Sequence, residues 1–159
     1  MKMKNKVLMM IITAFLLVLH VSGCSMSGEV QAAEDEILLK IQLDVREDIG
    51  LLVIDCDIDG TKTSGGISSI DKTMLKRDEL LYWTLSQEDY GNPGETVNLT
   101  LRFKVITEYC DPNYENIYPE ELTMPLEEIF WTADFGKNYD ITITGDHDSG
   151  YQAVLNPSD

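Results

Sequence analysis

Apolar and polar residues alternate along most of the chain from Ile37 onward, and that period of two marks half-buried β-strands. In "I-L-L-K-I-Q-L-D-V" the residues Leu39, Ile41, Leu43 and Val45 share one face, against Leu38, Lys40, Gln42 and Asp44 on the other. Leu51 to Asp59 repeats the pattern with Leu52, Ile54, Cys56 and Ile58 inward. Asp59-Gly60 then predicts a tight hairpin, because a type I′ turn needs positive φ at both central residues. Thr61 to Ser69 is the returning strand, where Gly65-Gly66 implies a bulge or a close backbone approach. Asp71 to Glu79 is polar and suits a turn of helix or a plain crossover. Further strands are expected over Leu80 to Leu85, Val97 to Val105, Ile129 to Phe135, Tyr139 to Thr144 and Tyr151 to Leu155. Tyr109 to Pro125 interrupts the alternation.

Seven or eight short strands without an amphipathic helix or a repeat predict an all-β fold. The expected form is an antiparallel β-sandwich of the immunoglobulin-like kind, with a small barrel as the alternative. The expected single domain spans residues 37–156.

The chain start follows a different logic. Lys2, Lys4 and Lys6 precede an apolar run from Val7 to Leu19, which is short of the roughly 20 residues that span a bilayer. "V-S-G-C" at Val21 to Cys24 follows, and this resembles the lipobox of bacterial lipoproteins. The resemblance implies that residues 1–23 are a signal peptide, that Cys24 is lipidated, and that the protein is held extracytoplasmically at the cell membrane. Two acyl chains give a stable anchor where one is marginal. The rival reading is cleavage near Val30 to Ala32, giving a soluble product. Residues 24–36 then read as the lipidated N-terminus and an acidic tether, whose polar stretch reaches at most ~40 Å.

Removing residues 1–23 takes away three of the 12 basic residues and none of the 28 acids, so the mature charge is 9 − 28 = −19. That field repels nucleic acid and anionic lipid headgroups, and favours cations or a basic protein as partner.

The C-terminal run "F-G-K-N-Y-D-I-T-I-T-G-D-H-D-S-G-Y" (135–151) and "D-G-T-K-T-S-G-G" (59–66) resemble segments of sandwich-type surface lipoproteins of Gram-positive anaerobes. The resemblance implies the sandwich fold and brings no activity with it.

Four sets of residues invite chemistry. Asp55, Asp57 and Asp59, followed by Gly60, match positions 1, 3, 5 and 6 of an EF-hand loop. Gly66 stands where the bidentate glutamate belongs, and on a strand Asp55 and Asp59 are ~13 Å apart. Calcium therefore requires this segment to leave the strand; otherwise no cofactor is expected. An oxidising compartment permits a Cys56–Cys110 disulfide, while strand parity opposes it by placing Cys56 inward and Cys110 outward. Tyr114, Ile117 and Tyr118 lie in the longest irregular stretch and are the candidate partner-binding residues, since tyrosines make contact area at low entropic cost. The bland alternative is that they pack on the flank of the sandwich. Asp146, His147 and Asp148 are neighbours in a turn, whose side chains diverge, and do not form a triad. Together these features lead us to expect a binding module for a protein or cell-wall partner. A small enzyme or enzyme inhibitor and a structural envelope component are the alternatives.

Overall fold

Alternate side chains along nine strands of the described residues turn into one buried layer, and this layer organises the fold. The structure is a computed structural model that describes residues 30–110 and 118–157. The strands are β1 (Glu36–Val45), β2 (Leu51–Ile58), β3 (Thr61–Ile67), β4 (Leu80–Ser86), β5 (Thr96–Ile106), β6 (Thr123–Pro125), β7 (Ile129–Asp134), β8 (Lys137–Asp146) and β9 (Gly150–Leu155). One sheet has the order β4-β1-β8-β9; the other has β3-β2-β5-β6, with β7 also paired to β5. The result is an all-β sandwich, as the alternation predicts.

Parity decides which residues enter the core. β1 contributes Ile37, Leu39, Ile41 and Leu43; β2 contributes Leu52, Ile54, Cys56 and Ile58; β5 contributes Val97, Leu99, Leu101, Phe103 and Val105. Each large aliphatic or aromatic side chain taken out of water contributes ~1.5–3 kcal/mol. Phe103 is the largest of the fully buried side chains. Lys40 points to the other face of β1 and is nonetheless only 8% exposed.

Turn chemistry agrees with the pattern. Asp59 and Gly60 adopt φ of 48° and 91°, the two positive values that a type I′ hairpin demands. The Asp57 carboxylate accepts the Gly60 amide at 2.8 Å and holds the turn closed. Gly65 proves to be a close approach rather than a bulge. Its register with Ile54 is unbroken, and a Cβ there would lie 2.4 Å from the Trp83 ring.

Three features differ from expectation, and between a turn of helix and a plain crossover residues 71–79 take the second. The sandwich is not wholly antiparallel, since β1 runs parallel to β8 from Ile37–Lys137 to Val45–Gly145. β6 lies inside the stretch read as irregular; three residues are too few to show a period. It pairs with Lys104 to Ile106, while β7 pairs with Thr96 to Leu101 along the same side of β5. Residues 71–79 form no helix. Leu75, the one buried apolar side chain there, exchanges backbone hydrogen bonds with Ile49 at 2.7 and 3.1 Å. The folded unit also begins earlier than Ile37. The Ala32 amide bonds Asn138 Oδ1 at 2.9 Å and the Asp35 carbonyl accepts from Gln87, so hydrogen bonds rather than apolar burial fix this polar segment.

Phe103→Ala is expected to lower unfolding free energy by about 3–5 kcal/mol through loss of buried surface and a residual cavity. Phe130→Ala, at a side chain 63% exposed, should change it by no more than ~0.5 kcal/mol. Urea denaturation of the two variants checks the contrast.

Candidate functional site

The aspartate series stays on a strand, and its carboxylates turn to three different partners. Asp55 accepts from Lys104 Nζ at 2.8 Å and from the Ser64 hydroxyl. Asp57 serves the Gly60 amide and stands 3.9 Å from Lys62 Nζ. Asp59 accepts the backbone and side-chain N–H groups of Asn98, both at 3.1 Å. Among the described residues no three His, Cys, Asp or Glu side chains converge as a metal group. The calcium reading required residues 55–60 to leave the strand, and β2 instead continues to Ile58 and enters the hairpin. Partial burial works to raise the Asp55 carboxyl. The hydrogen bonds from Lys104 and Ser64, with the charges of Lys104 and Arg102, outweigh it and hold the group below its ordinary value.

The two described cysteines are free thiols. Cys56 belongs to the core between the sheets, whereas Cys110 packs against a separate cluster of Leu51, Val53 and Ile106. Leu51 and Val53 alternate with inward Leu52 and Ile54, so the two sulfurs lie on opposite faces of one sheet. The disulfide that the compartment would permit is not formed, and the parity that opposed it is the reason. Burial pushes the Cys56 thiol up to about 11, against the opposing hydrogen bond of Tyr90.

Tyr118 is not a free-standing recognition residue. Together with Leu122 and Cys110 it packs on Leu51, Val53 and Ile106, covering the apolar end of the outer face of the five-stranded sheet. Burial there raises its hydroxyl pKa, helped by Cys110 and opposed by Lys104. Tyr114 and Ile117, the other two candidates of that stretch, lie outside the described residues, as does Cys24.

One end of the sandwich is acidic. The β1–β2 connection meets the β8–β9 hairpin around a cleft of ≈ 360 Å³, lined among others by Glu47, Glu108, Glu121, Asp146 and His147. Glu47 Oε1 accepts the His147 amide and the Tyr151 hydroxyl, each at 2.6 Å. Asp146 binds the Ser149 amide at 2.7 Å and Arg46 Nη1 at 2.8 Å. Those partners, Ser149 first, hold the Asp146 carboxyl below its ordinary value. His147 is exposed at the hairpin tip and joins the cleft through its backbone. The arrangement closes a hairpin; it does not assemble a nucleophile, base and orienter.

Sequence reasoning passed over a different surface. On the outer face of the four-stranded sheet, Leu80 is 42% exposed, Tyr82 44% and Val154 52%. Among the described residues β4 pairs with β1 alone, in the register Glu36–Ser86 to Gln42–Leu80. The hydrogen bonds from Leu43 N to Glu79 O at 2.9 Å and from Gln87 N to Asp35 O at 3.0 Å fix the phase of this ladder. Odd-numbered residues of β4 thus turn their N–H and C=O toward β1, because hydrogen-bonded pairs alternate in an antiparallel ladder. Leu80, Tyr82 and Thr84 direct theirs away from it, as Ser86 does its N–H. The parity of "L-L-Y-W-T-L" carried this signal, but apolar residues on both faces hid which side was outward.

The sequence matches no family model and no curated protein. Among solved structures, an NMR structure of a protein from Eubacterium rectale is similar at TM-score 0.37 and 9% identity, over 82% of this chain and 98% of that one. A non-hemolytic pneumolysin from Streptococcus pneumoniae is similar at TM-score 0.37 and 13% identity, over 80% of this chain but 24% of that one. The chain therefore spans about a quarter of the pneumolysin it matches. Similarity at this level carries no conclusion about what the chain does.

Two measurements test the site geometry. A carboxyl whose folded pKa is depressed contributes stability that is complete above its unfolded value, 3.8 for Asp55, and is lost as pH falls through the lower folded value. Asp55→Asn should therefore narrow the difference between the urea midpoint at neutral pH and that below pH 3.8. A midpoint difference equal to wild type would show that the Lys104 pair contributes nothing. A thiol reagent applied to the native protein should modify Cys110 and spare Cys56 until denaturant is added, with mass spectrometry locating the adduct.

Proposed function

We propose that the protein is a lipid-anchored extracytoplasmic binding module, whose sandwich presents an interaction surface to a protein or cell-wall partner. The observation that carries the interaction half of this reading is the exposure of Leu80 and Tyr82, 42% and 44%, on a sheet face of an otherwise acidic protein. Apolar side chains grouped on a sheet face mark contact surfaces more often than scattered ones do. The anchoring half rests on the basic start, the apolar run and "V-S-G-C" ending at Cys24. Anchor and module fit one another: a surface binder needs to stay at the membrane, and two acyl chains suffice. The immunoglobulin-like form of the sandwich belongs to the same proposal.

Labelled palmitate fed to cells producing the chain should be incorporated into wild type and not into Cys24→Ala, which should also leave the membrane fraction. Cross-linking at the cell surface should yield a partner that Leu80→Lys/Tyr82→Lys no longer captures. An unlabelled wild type sinks the anchor. An unchanged cross-linked set sinks the surface.

A further inference from the structure

The edges of the two sheets are not alike. β7 and β6 share one side of β5 with a break between them; Pro125 ends β6, and Glu127 and Glu128 lie in the break. β3 carries Lys62 and two glycines. β9 comes close to β6 and β7 of the opposite sheet. Charge, proline, broken strands and covering are the ordinary ways in which a sheet edge is made unattractive to another strand. β4 has none of them. "L-L-Y-W-T-L-S" is seven residues without charge, proline or glycine, rich in residues that favour extended backbone. Its outward N–H and C=O groups at Leu80, Tyr82 and Thr84, with the N–H of Ser86, face away from β1, its only partner among the described residues.

The flanks of this edge differ in charge. At the Ser86 end lie Glu34, Asp35, Glu88 and Asp89, all exposed, with the Gln87 amide bonded to the Asp35 carbonyl. At the Leu80 end acids and bases are mixed: Lys76 is paired with Asp48 at 2.9 Å, and Arg77 stands beside Asp78 and Glu79. A strand added here meets an uncharged ladder ending in a cluster of carboxylates.

We infer that β4 is a strand-addition site, taking an extended segment of a partner protein that runs antiparallel to Leu80–Ser86 and carries Lys or Arg at its N-terminal end. Antiparallel pairing puts that end beside Glu34, Asp35, Glu88 and Asp89. Main-chain hydrogen bonds to the four even-numbered residues supply the register, and Leu80 and Tyr82 offer side-chain contacts on the outer face. A second copy of this chain is the poorer occupant, because it brings a formal charge of −16 against −16 and sets Asp78 of one copy opposite Glu88 of the other. The inference rests on the interaction reading above and adds to it the class of partner, its direction and its charge.

Hydrogen exchange of the full chain in mild detergent tests it, read amide by amide. The probe is a short blocked peptide of alternating threonine and valine with two lysines at its N-terminal end. Without peptide, the amides of Leu80, Tyr82, Thr84 and Ser86 should exchange fast, and those of Leu81, Trp83 and Leu85 slowly. The peptide should slow the even-numbered set alone. Replacing its lysines by glutamates should weaken binding ~10-fold, the effect of roughly two surface charge pairs. Thr84→Pro removes an outward N–H but no bond to β1, so it should abolish protection while the melting transition stays cooperative. If Thr84→Pro does not fold, the lysine and glutamate peptides on wild type still decide the question. Equal protection by both peptides, or by neither, overturns the inference. So does protection of the even-numbered amides without peptide in a dimer seen by sedimentation. Should no peptide bind while Leu80→Lys/Tyr82→Lys still loses the cross-linked partner, strand addition falls and the interaction surface stands.

Discussion

Phe103 and the apolar residues that share its parity, Val97, Leu99, Leu101 and Val105, must leave water on the same face of β5, and the rest of the architecture follows from that demand. A strand that buries one face cannot shift its register by a single residue without exposing all of that face. β2 and β7 are therefore locked against β5 by side-chain parity as well as by backbone bonds. The same constraint sends Val53 and Leu51 outward, where bare apolar groups would meet water. Tyr118, Leu122 and Cys110 cover them. Chain that sequence alone presents as an irregular crossover is in this way recruited into a second, smaller core.

The outer faces obey electrostatics where they are not covered. Asp55 reaches Lys104 on the neighbouring strand, and Glu128, just before β7, reaches Arg102, each at 2.8 Å. Such half-exposed pairs contribute little individually to stability. Their larger effect is to fix which carboxylates are engaged, and an engaged carboxylate is not an open metal ligand. The aspartates of β2 show how a motif read in one dimension dissolves in three. Spacing of two along a strand spreads the side chains apart, whereas a calcium loop must curl them together.

Most of the strand content was legible because alternation is a direct consequence of burying one face. Ile37 to Val45 and Val97 to Val105 fall within β1 and β5, and the Asp59-Gly60 hairpin has the conformation its residues require. What was not legible involves partners distant in sequence. Nothing in Thr123 to Pro125 says that it will share β5 with β7. Nothing near Ile37 says that β1 will run parallel to β8 rather than join a hairpin. The immediate site features split the same way. Parity placed Cys56 and Cys110 on opposite faces, and the sequence left Tyr118 either in a binding loop or packed on the flank; the packing holds, on Leu51 and Val53, which no local pattern names. The outward Leu80 and Tyr82 went unremarked because their strand is apolar on both faces.

The parallel pairing of β1 with β8 has a mechanical side. β1 is the first strand of the chain, and it is held by β4 on one side and β8 on the other. Tension applied at Glu36 along the axis of β1 loads both ladders in shear. Many hydrogen bonds must then yield together, whereas peeling an edge strand breaks them one pair at a time. A load between β4 and β1 crosses a single ladder, the one from Glu36–Ser86 to Gln42–Leu80, whereas a load on β1 itself is shared by two.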